Sequence, residues 1–316
     1  MRFRSDPQMI RGSIAPLVTP FTDEGALDLE TLRRLTAWHV ANGTHGISVG
    51  GSTGEPSAQT LDEREAVMEA AASAIADRVP FVPGTGTNNL AETARLTAAA
   101  GQLGADAVLL IVPYYSRPTQ QGLFEWFETL AREFPHLPIV IYNIPGRTGV
   151  NLEPSTLGRL RRAHDNVVGV KEANRDFEQP SKVLQECGRD FLVYSGIELL
   201  CYPMLAIGGA GHVSATANLL PKELARLYEL VTAGSWSEAL DLHYQLLPLN
   251  EALFLETNPG PVKWAMERAG LLPSGRPRPP LVPPSEANQS RIAAVMAGYP
   301  QLWSERRSDP APASAP

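Results

Sequence analysis

Cysteine is nearly missing from this chain of 316 residues. Cys187 and Cys201 are its only two, with no C-x-x-C spacing, so neither a disulfide framework nor a thiolate metal site is indicated. Histidine is sparse as well. His39, His45, His136, His164, His212 and His243 share no H-x-H or H-x-x-x-H spacing, which argues against a metal-dependent aldolase, and no metal is expected. No uncharged run approaches the roughly 18 residues needed to span a bilayer, and the opening Met-Arg-Phe-Arg-Ser-Asp-Pro lacks the apolar core of a signal peptide; a cytoplasmic protein is expected. A formal net charge of -7 offers nothing to nucleic acid or an anionic membrane. There is no G-x-x-x-x-G-K-[ST] loop, and Gly84-x-Gly86 lacks the third glycine of a dinucleotide fingerprint. A small-molecule substrate is the partner these absences leave.

What is present is a repeating unit. Ser13–Thr19 reads as a strand, and Asp28 caps a helix whose Leu32, Leu35 and Trp38 recur at helical spacing before Gly43 stops it. Gly46–Gly50 follows as a strand, then a helix opened by the Thr60/Glu63 capping box. Pro80–Gly84 is next, with Asn89 and Glu92 placed as cap and third helical residue. Asp106–Val112, Pro138–Asn143, Val167–Lys171, Phe191–Ser195 and Ala210–Ser214 complete eight candidate strands. Helical patterns lie between them, near 122–134, 154–163, 178–188 and 198–207, and a last one follows near 221–233. Eight strand–helix units predict a closed α/β (β/α)8 TIM barrel over 12–233, behind a flexible lead at 1–11. The period then changes. Trp236–Leu247, Pro261–Ala269 and Ser285–Met296 read as a C-terminal helical layer over 234–300, with a proline-rich extended crossover at 272–284. The stretch 301–316 reads as a disordered tail.

The chemistry centres on Asn166-Val-Val-Gly-Val-Lys-Glu-Ala-Asn174. Its β-branched run fits a strand buried on both faces, so Lys171 falls at the C-terminal end of a barrel strand, where a half-buried amine can serve as a nucleophile. Tyr142 closes the neighbouring strand, with Arg147 in the turn beyond it. Gly50-Gly-Ser-Thr-Gly-Glu55 supports two readings. It matches the G-x-S-x-G elbow of serine hydrolases, with Asp176 and His212 following in Ser, Asp, His order, although Pro56 and the Thr60 capping box delay the helix that an elbow needs at once. Alternatively, Ser52, Thr53 and the loop amides receive a carboxylate at a strand end. A pyridoxal phosphate enzyme would also use a lysine, with Gly208-Gly-Ala-Gly211 holding the phosphate.

Taken in order, Gly51-Ser-Thr-Gly-Glu55, Pro113-Tyr-Tyr-Ser-Arg-Pro118, Tyr142-Asn-Ile-Pro-Gly-Arg-Thr-Gly149, Gly169-Val-Lys-Glu172 and Asn258-Pro-Gly-Pro-Val-Lys263 form a joint pattern. Over roughly residues 10 to 290 the chain resembles the dihydrodipicolinate synthase / N-acetylneuraminate lyase family, with R-T-G and N-P-x-P-V-K endings like those of the synthase branch. The resemblance implies that Lys171 forms an imine with pyruvate, Tyr142 shuttles protons, Ser52 and Tyr115 relay them, and Thr53 holds the pyruvate carboxylate. It implies further that Arg147 grips the carboxylate of aspartate semialdehyde and that Gly196 and Val213 border the substrate. No cofactor is implied beyond the imine. A homotetramer built as a dimer of dimers is implied, with Tyr115 contributed across a dimer interface. A related pyruvate-dependent aldolase or dehydratase, acting on a sugar acid or an aromatic aldehyde, is the alternative within the family. Glu198 and His212 are expected near the barrel mouth. Lysine-inhibited synthases bind lysine at a dimer interface, and Asn88, Glu92 and Tyr114 match that pocket. Pro56, Ser57, Leu61 and Arg64 replace its Ser, Ala and two His, so weak or absent inhibition by lysine is expected.

Overall fold

The computed structural model describes residues 3–304. Seven parallel strands form its sheet: β1 (Gly12–Pro16), β2 (Gly46–Ser48), β3 (Val108–Ile111), β4 (Ile139–Asn143), β5 (Val167–Glu172), β6 (Leu192–Ser195) and β7 (Gly211–Val213). Their order is β2-β1-β7-β6-β5-β4-β3. The gap between β2 and β3 is filled by the segment expected as the third strand. Val82 N–H donates to the Ile47 carbonyl (2.8 Å) on one side, and Leu109 N–H donates to the Pro83 carbonyl (2.8 Å) on the other. Phe81 and Gly84 therefore make only isolated bridges. Pro80 and Pro83 lack the N–H a ladder needs, which is why the eighth position is barrel without being a continuous strand. The barrel is closed.

The helices match their local signals. Asp28 accepts from Thr31 N–H at the start of Leu29–Ala41, Thr60 and Glu63 form the capping box of Leu61–Ile75, and Asn89 accepts from Glu92 N–H at the start of Leu90–Gln102. The C-terminal helices are Trp236–Ala252, Gly260–Arg268 and Glu286–Met296. The first runs through Pro248, past the expected stop at Leu247. Leu246, Leu249, Val262, Met266, Ile292 and Met296 join the main cluster of buried residues between strands and helices, so the layer shares the barrel's core.

Both ends of the described chain are ordered more fully than their composition suggests. In the lead, Pro7–Met9 forms a short 3-10 helix, the Arg4 guanidinium bonds the Ala105 carbonyl (2.9 Å), and the buried Tyr194 hydroxyl bonds the Ile10 carbonyl. At the other end, Gln301–Ser304 is a helical turn; the remainder of the tail lies outside the described residues.

A second, smaller cluster fills the barrel interior: Ile14, Val82, Leu109, Val140, Val168 and Val213. Strand β5 carries an irregularity there. Ile139 pairs with Val167, but the next residue, Val140, pairs with Gly169, so Val168 is an extra residue in β5. Strict alternation from outward Val167 would turn residue 171 outward as well. The inserted residue shifts the phase, leaving Val170 in the outer cluster and turning Lys171 to the interior.

Candidate active site

Lys171 and Tyr142 are register partners on adjacent strands at the C-terminal end of the barrel. Both are buried, at 5% and 4% exposure, and the lysine Nζ stands 4.1 Å from the centroid of the Tyr142 ring. The electron-rich face of the phenol is thus the amine's floor. Gly196 supplies the space for it. A Cβ there would meet Lys171 Cε at 2.9 Å and Cγ at 3.2 Å, so the glycine borders the lysine chain, while its own N–H is taken by the Glu172 carbonyl (2.8 Å). Behind the strand, Glu172 is enclosed by Asn143, Gln179 and the Asn174 N–H, with its carboxyl pushed upward by burial. This polar knot holds the ends of β4 and β5 side by side.

The cavity above is lined by Ser52, Tyr142, Arg147, Asn258, Arg278 and Leu281, among others. Ser52 and Thr53 lie in a 3-10 turn, Ser52–Gly54, and Thr53 Oγ1 accepts from the Asn258 side-chain amide (3.0 Å). Arg147 sits on a helical turn, Pro145–Thr148, where a plain turn was expected. One of its N–H groups braces the Asn258 carbonyl (3.2 Å) while the exposed side chain borders the cavity. Val213 lies in the interior cluster at the end of β7. Tyr115 does not join the group: it is 91% exposed, with φ of 76°, and points away from its own chain.

One expectation about the mouth needs correction. His212 is fully buried beside inward Val213, so alternation puts it on the outer face of β7; burial holds its pKa down at about 3 and the ring is neutral. Glu198 does stand at the mouth end, in the loop after β6 on the Lys171 side of the barrel, but buried: one oxygen accepts from Ala215 N–H (2.8 Å) and staples the loops after β6 and β7. The hydrolase reading loses both partners of Ser52. His212 faces away, and the Asp176 carboxylate is turned to the backbone ahead of the helix Glu178–Cys187, accepting from Glu178 N–H (3.0 Å). The Gly208–Gly211 run leads into the N-terminal end of β7 and so lies at the opposite end of the barrel from Lys171. A Cβ on Gly211 would meet the Gly12 carbonyl oxygen at 2.0 Å, so that glycine serves strand packing rather than a phosphate.

Sequence reasoning gave no role to Asn258, Glu55, Lys263, Arg278 or Leu281, although the first three stand in its motifs. Glu55 ends G-S-T-G-E, and Asn258 and Lys263 bound N-P-G-P-V-K. Arg278 and Leu281 come from the proline-rich crossover, which carried no chemical signal.

A barrel of this kind, with a buried lysine and a phenol at the C-terminal ends of adjacent strands, has the layout of an enzyme whose chemistry sits at that face and can hold an amine nucleophile. The chain belongs to the dihydrodipicolinate synthetase family, whose model matches residues 9–298. It is 47% identical over 300 residues to the 4-hydroxy-tetrahydrodipicolinate synthase of Thermus thermophilus, covering 95% of this chain and 100% of that one. Among solved structures, dihydrodipicolinate synthase from Aquifex aeolicus superposes with a TM-score of 0.89 at 40% identity, over 92% of this chain and 98% of that chain. The Cyanidioschyzon merolae enzyme with lysine bound gives 0.89 at 34% identity, over the same shares.

Proposed function

We propose that this chain is a 4-hydroxy-tetrahydrodipicolinate synthase that condenses pyruvate with aspartate semialdehyde through an imine on Lys171. The observation that carries the reading is the buried Lys171 amine on the Tyr142 ring beneath a cavity bordered by Ser52 and Arg147. The amine, in its neutral form, attacks the ketone carbon of pyruvate; water leaves and an imine forms. Tyr142 passes protons in these steps, with Ser52 and a partner's copy of Tyr115 as relay, and Thr53 takes the pyruvate carboxylate. Loss of a methyl proton gives an enamine, whose carbon bonds the aldehyde carbon. The amino group of the semialdehyde then attacks the imine carbon, closing the ring and releasing Lys171. No cofactor enters this sequence. The exposure of Tyr115 supports a dimer in which each copy completes the other's relay, within a homotetramer, and the small acids it handles fit a cytoplasmic enzyme. Steady-state condensation with pyruvate and a panel of aldehydes tests the reading: turnover is expected with aspartate semialdehyde, and turnover only with sugar-acid or aromatic aldehydes would replace it with the other aldolase reading.

Arg147 sets the acceptor in this scheme, its guanidinium pairing with the semialdehyde carboxylate in a planar geometry that lysine does not reproduce. Such a contact is worth roughly 1.5–3 kcal/mol, so Arg147→Ala is expected to lower kcat/KM for the aldehyde by about ten- to a hundredfold. Pyruvate trapping on Lys171 by borohydride should be retained. Unchanged aldehyde kinetics would leave Arg147 only as the brace of Asn258.

Lysine is expected to inhibit weakly. Arg64 is 6% exposed, donates to the Gly84 carbonyl (3.0 Å) and borders the same cavity as Ser57 and Tyr114. Although burial lowers its pKa to about 10, it remains a cation at neutral pH and repels the amines of lysine. Inhibition at sub-millimolar lysine in the condensation assay would contradict this.

A further inference from the structure

The G-S-T-G-E turn is gripped from outside the barrel. Lys263, fully buried on the helix Gly260–Arg268, bonds Glu55 Oε1 (2.8 Å) and the Thr19 carbonyl (3.0 Å), with its Nζ 4.3 Å from the Phe21 ring centroid. Glu55 is 2% exposed, and its other oxygen accepts from the backbone N–H of Arg278 (2.8 Å). The Arg278 side chain spreads over the Ala58 carbonyl (2.9 Å), the Gly25 carbonyl (2.7 Å) and both oxygens of Glu63. Two residues before the helix, Asn258 reaches Thr53 Oγ1. The C-terminal layer thus holds both Thr53 and Glu55, the two ends of a stretch three residues long.

A buried ion pair is poor evidence for stability, since desolvating two charges costs about as much as their attraction returns. This one also sits beside strain. Glu55 is a non-glycine residue in the left-handed region, with φ 55° and ψ 46°, a conformation that persists where the surroundings enforce it and that clusters at functional sites. The turn it ends carries Ser52 and Thr53, and the enforcing groups are Lys263 and Arg278.

We propose that the Glu55–Lys263 pair, clasped by Arg278, is a positioning device that sets the Ser52 and Thr53 hydroxyls against pyruvate. Lys263 then takes part in the reaction from outside the cavity. This rests on the pyruvate–imine reading above, and wild-type trapping run in parallel separates the two: an untrapped wild type overturns that reading, whereas the kinetics of variants in a trapped background judge this one.

The test is the double variant Glu55→Gln/Lys263→Met, which removes both charges, keeps an acceptor for Arg278 N–H and packs an apolar chain on Phe21. The variant is expected to fold with Tm within about 5 °C of wild type, and to show a KM for pyruvate raised about tenfold or more with KM for the aldehyde changed less than about twofold. A device serving the fold alone would move Tm or the active fraction and leave the pyruvate KM of the surviving enzyme in place. Arg278→Met, which keeps the pair and the backbone N–H to Glu55 but removes the side-chain bonds to Gly25, Ala58 and Glu63 that anchor this segment to the turn, is expected to raise the pyruvate KM about threefold. A folded double variant with unchanged pyruvate KM overturns the proposal. So does a proportional rise in both KM values, or a double variant that fails to fold.

Discussion

Lys171→Met folds as the wild type does and loses condensation activity by at least about 10⁴-fold, because the covalent route is closed and the remaining site offers only binding and orientation. Methionine suits the experiment physically. It fills a slot bounded by the Tyr142 ring and by a glycine whose added Cβ would collide with the native chain, and it exchanges a 5% exposed amine for an apolar end. Burying an amine costs more than burying a thioether, so Tm should hold or rise by a few degrees. Circular dichroism melts and a coupled condensation assay on one preparation suffice. Residual activity above about 1% of wild type would mean that bond formation does not pass through this lysine.

Tyr142→Phe is expected to lower kcat by about 10²- to 10⁴-fold, with a much smaller change in KM for pyruvate. Phenylalanine keeps the ring 4.1 Å beneath the lysine Nζ, so the packing and cation–π contact survive and only the hydroxyl is lost. A proton shuttle acts between bond-making steps, so its loss should slow imine formation as well as condensation. Single-turnover trapping with borohydride reads the first step alone. If Tyr142→Phe trapped pyruvate and condensed it at wild-type rates, the tyrosine would be packing and the shuttle would lie elsewhere.

The barrel was legible because each strand end and helix start carries its own chemistry: the Thr60–Glu63 box, the Asn89 cap and the β-branched run before Lys171 are local signals that need no knowledge of the rest. What escaped was non-local. The inward aim of Lys171 depends on Val168 being an extra residue in β5, and a strand apolar on both faces does not disclose its phase. His212 was placed at the mouth for the same reason: one residue of phase separates it from Val213. Pro248 reads as a helix stop, yet the helix continues to Ala252 with the proline on its exposed side. Arg278 was invisible as a site residue because Glu55, its backbone partner, is 223 positions away and the segment between prolines has no period. The motifs contained the candidate reacting residues and also Glu55, Asn258 and Lys263, but what those three hold became visible only in the fold.

The proposed reaction turns on a covalent bond between pyruvate and one lysine. Incubating the protein with pyruvate, reducing with borohydride and mapping the peptides by mass spectrometry tests it directly. One carboxyethyl group per chain is expected, on Lys171, dependent on pyruvate and on reductant and absent from Lys171→Met. An unmodified Lys171, or an adduct spread over other lysines, would contradict it.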